Sequence, residues 1–224
     1  LERVQERIRV SLERAGRRDE VTLVAVTKLV PPERIAEAYR IGLRHFGENR
    51  VQEFDDKRRW LTLPAAVWHL VGHLQSNKAR RAAALFDCLD SLDSSHVAEK
   101  LSAAAREVGR RLPDLIQVKL GAESGKAGVE PAALPTLVEQ VAALNGLTVK
   151  GLMTLPPYLE PAEQVRPYFR RLRELAAELD QRRFPGVEMR ELSMGMSHDF
   201  EIAIEEGATQ VRLGTAIFGE RPGR

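Results

Sequence analysis

The strongest constraint on the fold is that strand-like and helix-like segments alternate along the whole chain. Eight short stretches rich in apolar and β-branched residues are separated by segments whose apolar residues recur at helical spacing. Several of the short stretches are apolar at consecutive positions, which is typical of parallel strands covered on both faces. Right-handed β–α connections repeated eight times close into a barrel. We therefore predict an α/β protein built as a single (β/α)8 barrel.

The predicted elements account for the chain from end to end. Val4, Ile8 and Leu12 recur at helical spacing, so an extra helix precedes the first strand. The length of 224 residues suits one barrel, and no linker or internal repeat is visible, so residues 1–224 are predicted to be one domain. A doubly wound open sheet is the alternative. The predicted strands are residues 21–28, 44–49, 65–74, 88–93, 114–121, 147–155, 187–195 and 209–219.

Composition argues against several classes of function. The formal net charge is +2 and the charges are spread along the chain, which gives no electrostatic case for nucleic acid. No apolar run approaches the ~20 residues that span a bilayer. The single cysteine, Cys88, allows no intrachain disulfide and fits a reducing compartment. His69 and His73 would lie about 13 Å apart on one strand, too far to share a metal. We expect a cytoplasmic protein that binds no nucleic acid, membrane or metal.

A lysine ends the first predicted strand. The stretch VTLVAVTK is apolar nearly throughout and finishes at Lys28. Active sites of this fold lie at the carboxyl ends of the strands, so Lys28 is expected to point into that end of the barrel. An amine among apolar neighbours is desolvated, which lowers its pKa and suits it to Schiff-base formation. The alternative is structural: Lys28 reaches the rim or pairs with a carboxylate such as Glu48.

The last two strands carry features of a phosphate site. Such sites in this fold often follow strands seven and eight, against the start of a short helix. Ser193, Gly195 and Ser197 offer hydroxyls and backbone N–H groups after strand seven, and Gly214 and Thr215 do so at strand eight. Taken singly, Ser197 could cap its helix and Gly214 could relieve packing. The two features together favour a phosphate.

A lysine at strand one and a phosphate site at strands seven and eight predict a phosphorylated carbonyl compound as the ligand. Pyridoxal 5'-phosphate fits, and so does a sugar phosphate in a cofactor-free Schiff-base aldolase. Arg212 lies two residues before Gly214 on the same face of the strand, so it too is expected to face the barrel interior.

At this point the motifs resemble a known family. The segments AVTK, HFGENRVQE, WHLVGHLQSNKAR, GLMT and LSMGMSHDFEIAIEEGATQVRLGTAIFG are similar to those of the pyridoxal-phosphate homeostasis proteins, formerly described as proline synthetase co-transcribed homologues. The resemblance runs from the first helix to Gly219, and residues 192–219 and GHLQSNK are its most specific parts. It implies a single-domain barrel of fold-type III, as in alanine racemase.

The resemblance also implies a cofactor and its contacts. Pyridoxal 5'-phosphate would be held as a reversible aldimine on Lys28, with Arg212 facing the pyridine nitrogen and Asn49 beside the ring. The implied function is homeostasis: a protein, which we expect to be a monomer, keeps the reactive aldehyde in check and delivers it, with apo-enzymes that use this cofactor as candidate partners. The phosphate would be held by Ser193, Ser197, Gly214 and Thr215.

Two features favour binding over turnover. An arginine at the ring nitrogen keeps that nitrogen unprotonated, so the cofactor is a poorer electron sink. Racemases of this fold take a second acid/base group from a C-terminal β-domain, whereas this sequence ends soon after the eighth strand. The second proton-transfer group would have to come from the barrel, with His45, His73 and Tyr158 as candidates, or from a partner. A slow amino-acid racemase or lyase at the same site is the alternative function.

The loop after the fifth strand departs from the family. Many relatives carry a longer loop where this chain has GAESGKAG, and the resemblance therefore assigns no role to Lys126. The segment is not a nucleotide-binding loop either. Only three residues separate Gly121 from Gly125, and Ala127 stands where a Ser or Thr would follow the lysine.

Overall fold

A computed structural model describes residues 1–121 and 127–220. Its eight parallel strands form a closed barrel in chain order, which confirms the predicted architecture and rules out the open sheet. Lys126 lies outside the described residues. The strands are β1 (Thr22–Val26), β2 (His45–Glu48), β3 (Val67–Leu70), β4 (Cys88–Leu92), β5 (Leu112–Val118), β6 (Leu147–Thr154), β7 (Glu191–Ser193) and β8 (Gln210–Leu213).

Helices surround the barrel, and local sequence signals mark where several of them begin. Pro32 lies in the first turn of its helix, where the missing N–H costs nothing. Ser94 caps another helix by accepting a hydrogen bond from the N–H of Val97. The helices are α1 (Glu2–Arg14), α2 (Pro32–Arg40), α3 (Val51–Arg58), α4 (Ala79–Leu85), α5 (Ser95–Glu107), α6 (Leu134–Ala142), α7 (Arg166–Gln181), α8 (Phe200–Glu205) and α9 (Thr215–Phe218).

The N-terminal helix predicted ahead of the barrel is present as α1. Val4 and Ile8 are buried on its inner face. Arg7 makes a two-pronged ion pair with Glu201 of α8, with N···O distances of 3.1 and 2.9 Å, and its guanidinium lies 4.5 Å from the centre of the Phe200 ring. α1 therefore packs against α8, the helix that precedes β8.

The apolar core lies between the barrel wall and the helices. Phe46 and Trp68 project outward from β2 and β3 and meet Phe54 of α3 and Phe86 after α4, with ring centroids 4.3–5.2 Å apart. All four side chains are buried. Burial of aromatic groups of this size is the main source of the stability of the wall.

The observed strands differ from the predicted ones chiefly at their carboxyl ends. β1 ends at Val26 and not at Lys28, because the N–H of Val30 donates to the carbonyl of Thr27 at 2.9 Å and turns the chain. The last predicted strand, residues 209–219, is in fact β8 followed by the one-turn helix α9. The N–H of Phe218 donates to the carbonyl of Gly214 at 2.9 Å, so a helical turn replaces the strand there.

In the part of the chain that the structure describes, every helix is too short or too polar to cross a bilayer.

Candidate functional site

The face at the carboxyl ends of the strands, here called the mouth, gathers the groups that the sequence singled out. Lys28 lies in the turn after β1 and is half-buried. Val24 pairs with Arg212 of β8, and paired residues on neighbouring parallel strands face the same side. Because side chains alternate along a strand, Val26 continues the row that Val24 begins. Lys28 follows two residues later, in the turn at the mouth end of β1.

Glu48, the carboxylate considered as a partner for Lys28, is hydrogen-bonded to Thr27 and Lys57. Its Oε1 accepts hydrogen bonds from Thr27 Oγ1 at 2.8 Å and from Lys57 Nζ at 2.9 Å. Burial raises the pKa of Glu48, although the neighbouring charge of Lys57 opposes this. Glu48 thus ties the residue before Lys28 to α3.

Arg212 is a buried cation inside the barrel. Its side chain projects inward from β8, and the residue is 3% exposed. Nη1 donates to Ser193 Oγ at 2.5 Å and Nη2 donates to the carbonyl of Thr154 at 2.7 Å. Burial lowers the pKa of Arg212 to about 10, so the guanidinium stays charged at neutral pH. Arg212 is therefore a fixed positive charge inside the barrel.

Ser193, one of the residues proposed for the phosphate, is fully buried, and its Oγ accepts hydrogen bonds from Arg212 and, at 2.7 Å, from Gln210 Nε2. Both the residues after strand seven and the resemblance led to the expectation that Ser193 contacts a phosphate. Its observed partners suit it to hold Arg212.

Ser197, Gly214 and Thr215 come together at the mouth. Ser197 Oγ accepts hydrogen bonds from the backbone N–H groups of Gly214, at 3.3 Å, and Ala216, at 3.1 Å. Thr215 is exposed beside them. Two backbone donors thus converge on one oxygen between β7 and β8, and this geometry can equally serve an oxygen of a bound anion.

Asn49 lies directly after β2, on the mouth side, and is half-buried. The backbone of Gly72 passes so close that a Cβ on this glycine would lie 2.2 Å from the carbonyl oxygen of Asn49. A side chain at position 72 is therefore excluded. The close approach holds the Asn49 backbone against the loop after β3.

A hydrogen-bonded chain of polar side chains crosses the barrel, and the sequence analysis missed it. Gln210 Nε2 donates to Asp90 on the opposite side of the barrel as well as to Ser193. Asp90 Oδ1 lies 3.0 Å from His69 Nδ1, and His69 Nε2 lies 3.0 Å from His45 Nδ1. The available signal was a polar residue at alternate positions of otherwise apolar strands, as in WHL, LDS and QVR.

The pKa values of His69 and His45 shift in opposite directions. Burial alone would lower the pKa of His69, but the charge of Asp90 and the hydrogen bond to it outweigh burial and raise the pKa. Burial and the charge of His69 both lower the pKa of His45. When His69 is protonated, it can donate to Asp90 with one ring nitrogen and to His45 with the other.

This arrangement predicts a pH dependence of stability. The pKa of His69 is raised above its ordinary 6.5, so its protonation stabilises the fold fully below pH 6.5 and ceases to do so as the pH rises through the folded-state pKa. The lowered pKa of His45 affects the stability only below pH 6.5, outside the pH range in which His69 contributes. We expect the free energy of unfolding to fall, as the pH rises above 6.5, by more in the wild type than in His69→Gln. Equal slopes in urea titrations of the two proteins would contradict the assignment.

The other candidate acid/base groups each contact another polar side chain. His45 lies on β2, where it pairs with Val24, and its Nδ1 lies 3.0 Å from His69 Nε2. His73 lies beyond the end of β3, with Nδ1 3.1 Å from Asp93 Oδ2. Tyr158 is 67% exposed, stacks on His198 with centroids 4.4 Å apart and donates its hydroxyl to Glu160. Each of the three candidates is thus engaged with another side chain.

Comparison with known proteins places the chain in a family. Residues 1–222 match the model of the alanine racemase N-terminal domain. A pyridoxal phosphate homeostasis protein of Aquifex aeolicus is 49% identical over 222 residues, which cover 99% of this chain and 96% of that relative.

Solved structures show the same fold. PipY of Synechococcus elongatus PCC7942, solved with pyridoxal phosphate bound, superimposes with a TM-score of 0.85 at 44% identity over 95% of this chain and 99% of that one. The alanine racemase of Clostridium difficile 630 superimposes with a TM-score of 0.70 at 15% identity, covering 97% of this chain but 58% of the racemase, and at that identity it is similar in fold alone.

Proposed function

Because the chain belongs to the pyridoxal phosphate homeostasis protein family, whose barrel is the alanine racemase N-terminal domain, we propose that it binds pyridoxal 5'-phosphate reversibly and delivers it to apo-enzymes that use it. The observation that carries the proposal is the placing of three groups on neighbouring strands or in the turns that follow them. Lys28 follows β1, Arg212 is buried on β8, and Ser197, on which two backbone N–H groups converge, follows β7.

The residues of the mouth fit the chemical groups of this cofactor. The cofactor supplies an aldehyde that reacts reversibly with amines. Lys28 provides the amine, and Arg212 provides a fixed hydrogen-bond donor for the ring nitrogen. Ser197, Gly214 and Thr215 offer hydroxyl and backbone N–H donors for a phosphate.

Two further residues complete the proposed site. Asn49 borders the ring from the end of β2, held by the close approach of Gly72. Ser193 accepts a hydrogen bond from Arg212 and, in this proposal, orients the guanidinium instead of contacting the phosphate.

Several features support storage over turnover. An arginine does not give up its proton at neutral pH, so it offers the ring nitrogen a hydrogen bond but no proton. The cofactor is then a weak electron sink for amino-acid chemistry. His45, one candidate for the second proton-transfer group, is engaged with His69.

The absorption spectrum of the protein incubated with pyridoxal 5'-phosphate tests the proposal. We expect a visible band that borohydride bleaches, with the pyridoxyl mass on Lys28 in peptide mapping. Pyridoxal without phosphate should bind at least about tenfold more weakly, because it lacks the charged acceptor for the N–H groups at Ser197. Incubation with amino acids in D2O should leave their α-protons unexchanged.

Each arm of this test can fail separately. A protein that gains neither band nor label would overturn the proposed cofactor. Equal binding of the two aldehydes would contradict the phosphate site. Rapid α-proton exchange would replace storage by catalysis at the same residues.

A further inference from the structure

We propose that Lys57, Glu48 and Glu53 form a clamp that positions Lys28 for reaction. The inference rests on the proposed function, since it concerns how the amine of that site is held. The sequence pattern that located Lys28 at the end of the first strand does not predict that these three residues position it. They lie on β2 and α3, next to the turn that carries it.

Lys57 is the centre of the clamp. Its side chain is 12% exposed, and Nζ lies 2.9 Å from Glu48 Oε1 and 2.7 Å from Glu53 Oε1. The same Nζ donates to the carbonyl oxygen of Thr27 at 2.7 Å. A largely buried ammonium with three oxygen partners is fully satisfied, so its geometry is fixed.

The clamp holds the chain on the near side of Lys28 at two points. The carbonyl of Thr27 accepts from Lys57, and the hydroxyl of Thr27 donates to Glu48 Oε1 at 2.8 Å. Thr27 is fully buried. The peptide group that enters Lys28 is therefore tied to α3 through Lys57 and to β2 through Glu48.

The clamp also holds the chain on the far side. Glu53 Oε1 accepts a hydrogen bond from the N–H of Leu29 at 2.6 Å. Leu29 has a φ of +58°, which an L-residue adopts only at a cost, and its side chain is 70% exposed. Packing of the leucine side chain therefore does not explain the strained backbone, whereas the hydrogen bond to Glu53 does.

The charge state of Glu53 agrees with this role. Burial alone would raise its pKa, but hydrogen bonds from Lys57 and from the N–H of Leu29 outweigh burial and lower it. An ionised carboxylate makes the stronger, charge-assisted bond to a backbone N–H. With Thr27 and Leu29 both fixed, the direction in which Lys28 leaves the backbone is set.

The test compares Lys57→Met with Lys150→Met. Both variants remove a lysine that pairs with a glutamate, but Lys150 pairs with Glu188 at 2.7 Å, away from the Lys28 turn.

The first readout is the rate of borohydride-trapped labelling of Lys28 by pyridoxal 5'-phosphate. The second is the affinity for pyridoxine 5'-phosphate, which has the ring and the phosphate but no aldehyde. We expect Lys57→Met to label about tenfold to a hundredfold more slowly, since misplacement of a reacting group by an ångström costs that much. Its affinity for pyridoxine 5'-phosphate and the behaviour of Lys150→Met should match the wild type.

The remaining outcomes decide against the clamp or against the site. Wild-type labelling rates in Lys57→Met overturn the clamp. So does a parallel loss of labelling and of pyridoxine 5'-phosphate affinity, because Lys57 would then support the mouth as a whole. If Lys57→Met does not fold, Glu53→Gln carries the same comparison, since it keeps the side-chain shape and loses the charge. A wild-type protein that is not labelled on Lys28 refutes the proposed function itself, which is a different result from a labelled wild type with an unaffected variant.

Discussion

Lys28→Ala is expected to abolish covalent capture of pyridoxal 5'-phosphate. After borohydride reduction, the label should fall from about one pyridoxyl group per chain to background, because Lys28 is the amine proposed to form the Schiff base. The visible band should disappear with it. Mass spectrometry of the reduced, digested protein measures both the amount and the position of the label.

Two control variants sharpen this result. Lys28→Arg keeps the positive charge but offers no nucleophilic amine at neutral pH, so it should also stay unlabelled. Lys100→Ala removes an exposed lysine of α5 and should label like the wild type. Undiminished labelling of Lys28→Ala would place the reactive amine elsewhere and overturn the proposed site.

Asp90→Ala is expected to destabilise the barrel by about 3–5 kcal/mol, since removal of the Asp90 carboxylate leaves the remaining buried charges unpaired. Asp90 is 1% exposed and accepts hydrogen bonds from His69 and Gln210 on opposite sides of the interior. Its negative charge also favours the protonated forms of the buried Arg212 and His69. Loss of this amount should lower the Tm by roughly 10 °C for a chain of this size.

A double-mutant cycle separates the charge from the packing. Asp90→Asn keeps the shape and one acceptor, so we expect it to lose less stability than Asp90→Ala. His69→Gln combined with Asp90→Asn should cost less than the sum of the two single changes, because the pair is already broken by either one. Strict additivity, or a loss below about 1 kcal/mol in Asp90→Ala, would mean that the buried chain contributes little.

The barrel was predictable because its signal repeats. Eight apolar stretches alternating with amphipathic segments predict the topology even when each boundary is off by several residues. The boundaries failed where one hydrogen bond ends a strand: VTLVAVTK reads as one strand through Lys28, yet the bond from Val30 to Thr27 turns the chain first. A single backbone hydrogen bond of this kind cannot be predicted from the pattern of apolar residues.

The site was predictable to the extent that it depends on position along a strand. Arg212 was expected to face the interior from its spacing to Gly214, and the structure places it there. Lys57 was not predicted, since a lysine on a charged helix usually faces solvent. Its burial arises from the way in which α3 lies over the end of β2, and that tertiary contact brings Glu48, Glu53 and Lys57 together.

The polar chain across the interior also restricts how the strands can align. In a barrel filled only with apolar side chains, a strand could slide by two residues and still bury an equivalent row. Here a two-residue slide of β8 would move Gln210 by about 7 Å and separate it from Asp90 and Ser193 at once. The donors and acceptors thus fix the register: they set the stagger at which the sheet closes, and the pairing of Arg212 with Val24 of β1 depends on that stagger.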